Sequence, residues 1–258
     1  MAWTDDPDHA FAGIAEKLKR ANESIGNLHT EILAFFKVGK YPVMPDVKSE
    51  EWQQALYYHR NLAIPRRFSV LSGEIIHHLR SCLDHIAWHF SCAECRINGQ
   101  NAIEFPVLRK EPLTKEEIAR YERKIKGITN REVASLIRDM QPYKRGSDAE
   151  SDPVCIVHDM DRFDKHRELA IISSCASVNI PLSAGIEVAA AMAKYGQGKA
   201  VNDAELALIH KALNQNPIVL PQIAFMQVGK WKEQPVVPTL SQLHEAIFER
   251  IDLFEGLV

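Results

Sequence analysis

A long run of apolar residues at helical spacing, from about residue 69 to residue 95, constrains the fold of this chain more than any other feature. At 100° per residue its apolar side chains form one stripe along a helix of roughly seven turns. They are Leu71, Ile75, Leu79, Leu83, Ile86 and Phe90. Because one stripe buries only one side of a helix, the segment needs neighbouring elements against which to pack. The sequence therefore predicts a continuous amphipathic helix at the centre of a helical core.

A second long helix is predicted over residues 8–37, where apolar residues again recur at steps of three and four. Asp8 is a candidate N-cap, and Gly39 follows the last periodic residues. We expect the two segments to pack as a long antiparallel helix pair. Shorter accessory helices are predicted around it, over residues 115–126, 130–140 and 153–167.

The pattern changes after residue 168. Apolar runs at 169–180, 185–193 and 217–228 predict a small, mostly antiparallel sheet, and Thr239 opens an amphipathic closing helix that returns to the bundle. The fold class is therefore α+β. The 258 residues suffice for a single domain, with a helical part over 8–167, a sheet part over 168–238 and a closing helix over 239–255.

Charge and composition exclude several classes of protein. A net charge of −3 gives no overall positive field to attract nucleic acid, although residues 109–145 hold eleven Lys or Arg against six Asp or Glu and could contact phosphates. The N-terminal residues do not resemble a signal peptide, and polar residues interrupt the longest apolar stretch. Five cysteines without framework spacing are typical of reduced thiols. We expect a cytoplasmic protein with no membrane partner.

Four histidines fall on the predicted central helix: His77, His78, His85 and His89. The last three lie within about 40° of one another on the helical wheel. Imidazoles at this spacing are candidate metal ligands. No other segment offers an obvious fourth ligand, so the favoured interpretation is a polar strip beside the core. No cofactor is predicted.

Cys92 and Cys95 form a CxxC motif at the end of the same predicted helix. The dipole at a helix C-terminus disfavours a thiolate. The sequence therefore argues against a redox role for the two thiols.

A charged block, Asp161 to Arg167, lies where the helical part meets the sheet part. Asp161 and Lys165 are spaced to pair at i, i+4, and Asp164 could reach Arg167. One interpretation is that these pairs hold the junction together. The alternative is a polar pocket that binds an anion or phosphate. In that pocket, Lys165, His166 and Arg167 would face three residues of the central helix, which are Glu74, Asp84 and His85.

Arg80 and His85 spell Arg-x4-His and resemble the motif of HEPN-superfamily ribonucleases. That resemblance implies a helical core, a dimer whose paired motifs build the RNA-cleaving site, His85 as general acid/base and Arg80 as the group that stabilises the phosphate. On a single helix, however, Arg80 points about 140° away from His85 and is placed to meet Asp84 at i+4.

A longer stretch of the chain resembles a set of uncharacterised bacterial proteins. Residues 73–88 read GEIIHHLRSCLDHIAW and are similar to their GE-x4-LRSALDHLAW signature. Further shared motifs follow in the same order: Phe105-Pro106, Gln141-Pro142-Tyr143, the DKHR run 164–167 and Pro238-Thr239-Leu240. The resemblance implies a bacterial protein with a shared fold and a shared polar site, without an activity.

Two functions stay open at this stage. The favoured one is a binding or structural module with a polar His/Arg/Asp pocket, and the alternative is a metal-independent ribonuclease that uses Arg80 and His85. A homodimer and an RNA or phosphate-containing ligand are the partners to be considered.

Overall fold

The computed structural model describes residues 2–38, 63–99, 103–179, 204, 218–226 and 231–258. In these residues the chain is mostly helical with one two-stranded antiparallel sheet, which confirms the α+β class. The α-helices are α1 (Ala12–Val38), α2 (Arg66–Phe90), α3 (Ala93–Gly99), α4 (Lys115–Lys124), α5 (Arg131–Asp139), α6 (Pro153–Asp164) and α7 (Val236–Asp252). Strand β1 is Ile171–Asn179 and strand β2 is Ile218–Phe225. The strand expected at 185–193 lies outside the described residues.

Contacts divide the chain into two compact units. The first comprises Met1–Thr30, Pro65–Ala170 and Phe225–Val258, and the second comprises Glu31–Ile64 and Ile171–Ala224. Within the second unit, the described backbone includes the antiparallel pairing of β1 with β2. The polar residues singled out by sequence all belong to the first unit. None of the helices in the described ranges is long and apolar enough to cross a membrane.

Helix α2 lies at the centre of the first unit. It packs against both α6 and α7, and the predicted stripe residues Ile75, Leu79, Leu83 and Ile86 are fully buried. The thiol of Cys82 lies 3.8 Å from the carbonyl oxygen of Ile14 in α1. A continuous central helix with its apolar side turned inward is therefore confirmed.

The end of α2 differs from the sequence expectation. The helix stops at Phe90, Ser91 is extended, and a separate short helix, α3, begins at Ala93. Tertiary contacts cause this break, because Ser91 forms an antiparallel bridge with Ile128 and the N–H of Cys92 donates to the carbonyl of Gly127 at 3.0 Å. The expectation that the two CxxC cysteines end the central helix is wrong.

Helix α6 is fixed at its start by Asp152. Its carboxylate caps the helix by accepting from the N–H of Val154 at 2.8 Å, and Pro153 occupies the first turn, where a missing N–H is tolerated. The second carboxylate oxygen accepts from Arg250 of α7 at 2.9 Å. This buried aspartate thus links α7 to α6. The closing helix α7 itself begins at Val236, three residues before the expected Thr239.

Gly73 lets α6 approach α2 closely. A Cβ added at this position would lie 2.4–2.5 Å from the carboxylate atoms of Asp164, much closer than a real contact allows. With Gly73 at this position the Asp164 carboxylate lies directly against α2, and a larger residue would have to push that side chain aside. The glycine of the GEIIHHLRSCLDHIAW segment therefore has a packing role.

We expect Gly73→Ala to destabilise the protein by about 1–2 kcal/mol, because the new methyl group displaces Asp164. The matched control is Gly26→Ala in α1, where an added Cβ meets nothing within 4 Å. There the change removes a poor helix former and should stabilise by up to about 1 kcal/mol. Urea unfolding of both variants measures the difference. Equal effects of the two substitutions would contradict the close approach.

Candidate functional site: two polar clusters between α2 and α6

Helices α2 and α6 run antiparallel, and three pairs of residues define how they align. Gly73 lies under Asp164, His77 contacts Asp161, and the charge of Arg80 acts on His158. As the residue number rises along α2 it falls along α6. Consequently a row of polar side chains from each helix lies along one interface, and these side chains form two clusters.

The first cluster surrounds Arg80 and comprises Arg80, Asp84, Glu104, Lys124 and His158; it is called the Arg80 cluster below. Arg80 is only 3% exposed. Its Nη2 donates to the carbonyl oxygen of Phe105 at 2.9 Å and lies 2.8 Å from Oδ1 of Asp84. That same Oδ1 accepts from the N–H of Phe105 at 2.9 Å. One turn of α2 therefore binds both backbone polar groups of Phe105.

Glu104 and Lys124 extend this cluster to α4. Their side chains form an ion pair, and the N–H of Glu104 donates to the carbonyl oxygen of Lys124 at 3.1 Å. The carboxylate of Glu104 also lies 4.0 Å from Nη2 of Arg80. Burial acts to raise the pKa of Glu104, but the hydrogen bond and charge of Lys124, together with Arg80, outweigh it and lower that pKa. The 104–105 segment is thus held by α2 and α4 together.

His158 brings α6 into the Arg80 cluster. Burial, followed by the charge of Arg80, lowers the pKa of His158 to about 4. The imidazole is therefore neutral at physiological pH. For Asp84, desolvation raises the pKa even though Arg80 and the Phe105 N–H act in the opposite direction. Buried charge at this interface is compensated but remains costly.

One donor group of Arg80 has no partner in the described part of the chain. Its Nη1 is buried and makes no hydrogen bond. An unsatisfied buried donor costs about 1–3 kcal/mol. The side chain is nevertheless retained at the interface, since its other contacts hold Phe105 and Asp84 in place.

The second cluster comprises His77, Asp161 and Lys165 and is called the Asp161 cluster below. Asp161 is almost completely buried, with 5% of its side chain exposed, whereas the side chains of His77 and Lys165 are 58% and 55% exposed. Oδ1 of Asp161 lies 2.9 Å from Nδ1 of His77. Oδ2 of Asp161 lies 2.6 Å from Nζ of Lys165. One buried carboxylate therefore holds two solvent-exposed basic side chains from different helices.

The partner of His77 determines which of its nitrogens carries a proton. A carboxylate oxygen can only accept, so Nδ1 of His77 donates to Asp161. In the neutral imidazole this leaves Nε2 as the acceptor, and in the protonated imidazole Nε2 becomes a second donor. An exposed imidazole oriented by a buried carboxylate is suited to bind an anion or to transfer a proton.

Asp164 borders the Asp161 cluster. Burial, followed by the nearby charge of Asp161, raises the pKa of Asp164, although the backbone N–H of Leu169 donates to its carboxylate and favours the charged form. Arg167, expected by sequence to pair with Asp164, has its guanidinium 6.0 Å from the ring centroid of Phe163. His166 and Arg167 are both exposed.

Two of the three predicted pairs are confirmed, the pair expected between Asp164 and Arg167 is not found, and His85 is not brought together with the confirmed pairs. Arg80 meets Asp84, and Asp161 meets Lys165. His85 lies at an exposed position of α2, where partial desolvation and then the charge of Lys17 in α1 lower its pKa. Within this one chain Arg80 and His85 therefore face different surroundings, so a shared HEPN-type site formed by two subunits stays a prediction.

The remaining histidines of α2 lie along the side that faces α1. Burial and then Lys17 lower the pKa of His78, and the ring of His89 contacts that of Phe11 with centroids 5.2 Å apart. Glu74 is exposed, and its charge acts on His78. Among the residues that the structure describes, no three His, Cys, Asp or Glu side chains are grouped so as to hold a metal ion.

Two of the quoted motifs have a structural role next to the Arg80 cluster. The buried amide of Gln141 donates to the carbonyl oxygens of Pro106 and Ile137, at 3.0 and 2.9 Å. Its Oε1 accepts from the N–H of Leu108 at 3.0 Å. The Phe105-Pro106 segment is therefore bound by α2 on one side and by Gln141 on the other.

Sequence reasoning missed the residues that complete both clusters. His77 is assigned only to a general group of histidines, Lys124 only to the basic segment 109–145, and His158 and Glu104 carry no signal. Their partners are distant along the chain, with His77 and Asp161 separated by 84 positions. The recurrence of His158, Asp161 and Asp164 at steps of three along α6 is the available clue, but it does not define which residue of α2 each side chain meets.

No family model matches this chain, and neither a curated protein nor a solved structure matches it.

We expect Arg80→Ala to destabilise the protein by about 3 kcal/mol, because Asp84 and the Phe105 carbonyl both lose their buried partner. The matched control is His85→Ala on the exposed side of the same helix, expected to change stability by less than about 0.5 kcal/mol. Urea unfolding gives both values. If the two variants were equally stable, Arg80 would not have the structural role described here.

We expect His158 to make stability fall as the pH drops. Its pKa in the folded protein is about 4, below the ordinary histidine value of 6.5, so the unfolded chain binds a proton first. Stability is thus lost between about pH 6.5 and pH 4, by about 2 kcal/mol after allowing for partial exposure. Asp84 and Glu104 also titrate nearby, so the wild type is compared with His158→Gln. Urea unfolding of both proteins across this pH range gives the difference between their free energies of unfolding. Parallel curves for the two proteins would rule out this contribution.

Proposed function

We propose that this chain is a binding module for a phosphate-bearing ligand, and that the Asp161 cluster is its binding site. The observation that carries the proposal is the sharing of the buried Asp161 carboxylate by two exposed side chains, His77 and Lys165. Nζ of Lys165 and Nε2 of protonated His77 are both hydrogen-bond donors suited to phosphate oxygens.

Preorganisation supports this function. A flexible lysine loses side-chain entropy when it binds a ligand, and this loss weakens binding. Here the Nζ of Lys165 is already held 2.6 Å from Asp161, and His77 is held 2.9 Å from the same residue. Part of the side-chain entropy of Lys165 and His77 is thus lost when the protein folds, so less of it has to be lost when a ligand binds.

The basic segment 109–145 is the other part of the chain where a phosphate could meet several basic side chains. Several of its charges are already paired with acids: Arg109 with Asp159, Lys124 with Glu104, Lys144 with Asp139 and Arg145 with Asp152. The field of this segment is therefore smaller than its sequence count suggests.

The proposed scaffold is the one expected from sequence, an antiparallel pair of α1 and α2 to which the closing helix α7 returns. Contacts of α2 with Ile14 of α1, and of His244 in α7 with the carbonyl of Leu18, support it. In this arrangement α6 covers the remaining side of α2 and presents the Asp161 cluster at the surface.

Metal-independent RNA cleavage is the second candidate, and one observation favours it. The pairing of His77 with the buried Asp161 is the arrangement of a general base whose tautomer is fixed, and Lys165 could stabilise charge on a phosphate. RNA cleavage at the Asp161 cluster would therefore use His77 and Lys165. The version implied by the HEPN resemblance uses Arg80 and His85 and needs a dimer.

We expect Lys165→Gln and His77→Gln each to weaken binding of a short, fluorescently labelled single-stranded RNA by about tenfold at about pH 5.5, below the ordinary histidine pKa of about 6.5, since each removes one charge-assisted hydrogen bond. The charge-matched control is Lys19→Gln on the exposed surface of α1, expected to leave affinity nearly unchanged at moderate salt. Fluorescence anisotropy measures the affinity, and inorganic phosphate serves as competitor. Similar losses in all three variants would reject a localised site.

The same proteins separate binding from cleavage. Incubation of the RNA with wild type, His77→Gln and His85→Gln, followed by gel electrophoresis, shows whether any product forms. Cleavage lost only in His77→Gln would favour catalysis at the Asp161 cluster, and cleavage lost only in His85→Gln would favour the HEPN-type site. An intact RNA that still binds supports the binding module alone.

A further inference from the structure

The four cysteines whose side chains the structure describes fall into two groups. Cys82 and Cys155 are buried, and burial raises the pKa of Cys82 to about 12 and also raises that of Cys155. Cys92 and Cys95 are only partly buried. Of these four cysteines, only Cys92 and Cys95 are therefore accessible to a reactant.

The sulfur atoms of Cys92 and Cys95 lie together beneath a single glycine. A Cβ on Gly127 would lie 2.7 Å from Sγ of Cys95 and 3.0 Å from Sγ of Cys92, so both sulfurs lie close to the same point. Gly127 also has a φ of +85°, which favours glycine. The absence of a side chain at this position therefore leaves room for two adjacent thiols.

Backbone contacts hold this arrangement in place. The N–H of Cys92 donates to the carbonyl of Gly127 at 3.0 Å, and Ser91 forms a bridge with Ile128. The N–H of Cys95 donates to Sγ of Cys92 at 3.3 Å. The two thiols are thus fixed side by side by contacts from a segment that lies more than thirty residues further along the chain.

We propose that Cys92 and Cys95 form a redox-active dithiol that exchanges with a disulfide-bonded reactant. The Cys92 thiolate attacks one sulfur of that disulfide, forms a mixed disulfide and releases the other half as a thiolate, which takes up a proton. Cys95 then loses its proton and attacks Sγ of Cys92, closing the Cys92–Cys95 disulfide and releasing the second thiolate. Two electrons and two protons pass from the protein to the reactant.

The surroundings assign Cys92 as the attacking group. A hydrogen bond from Cys95 and then the backbone N–H of Cys95 lower the pKa of Cys92, whereas the same hydrogen bond raises the pKa of Cys95. Cys95 is accordingly the resolving thiol. This assignment concerns a different part of the first unit from the Asp161 cluster and does not depend on the proposed function.

The test equilibrates the full chain in buffers that range from reduced to oxidised glutathione, followed by acid quench, alkylation, trypsin digestion and mass spectrometry of the fragment 81–96. A Cys92–Cys95 disulfide that forms with oxidised glutathione and reopens with reduced glutathione is the expected result. Cys82 and Cys155 are internal controls and should react only after unfolding in guanidinium. A protein that keeps both thiols free across the whole series would overturn the proposal.

Two single variants test the order of the steps. Cys95→Ser should accumulate glutathione on Cys92, because the resolving thiol is absent. Cys92→Ser should take up glutathione on Cys95 at least about tenfold more slowly. Circular dichroism before the reaction establishes that both variants are folded. Equal rates in the two variants would contradict the assignment of Cys92 as the attacking thiol.

Discussion

The close antiparallel packing of α2 against α6 is the constraint on which the polar chemistry of this protein depends. Gly73 leaves room for the Asp164 carboxylate, which lies in the space that a side chain there would fill. Once that contact is made, the next turns of the two helices bring His77 to Asp161 and His158 to the neighbourhood of Arg80. A single helix alignment thus creates both a buried cluster and an exposed one.

The two clusters have different physical roles. Arg80 is buried, one of its nitrogens has no partner among the described residues, and its bonds go to the backbone of Phe105 and to Asp84. This is an arrangement that fixes a segment of chain at some energetic cost. Asp161 is also buried, but the side chains that it holds are exposed. Only the second arrangement presents donors to a ligand, which is why the proposed site is the Asp161 cluster.

Sequence reasoning predicted what is local and missed what depends on tertiary contacts. The stripe of α2 and the i, i+4 pairs Arg80–Asp84 and Asp161–Lys165 follow from helical geometry, and the structure has them. The predicted end of α2 was wrong because no proline or glycine near Ser91 marks it in the sequence. The bridge between Ser91 and Ile128 ends the helix there. For the same reason the expected position of the CxxC motif was wrong, so the argument against a redox role loses its premise.

The orientation of His77 tests the central account most directly. Nitrogen NMR of the imidazole at about pH 8, where histidine is ordinarily neutral, reports which ring nitrogen carries the proton. If Asp161 holds this side chain as described, Nδ1 is protonated and Nε2 is not, and added inorganic phosphate at lower pH shifts the His77 resonances before those of His85. A neutral His77 with its proton on Nε2 would contradict the hydrogen bond to Asp161 on which the proposed site depends.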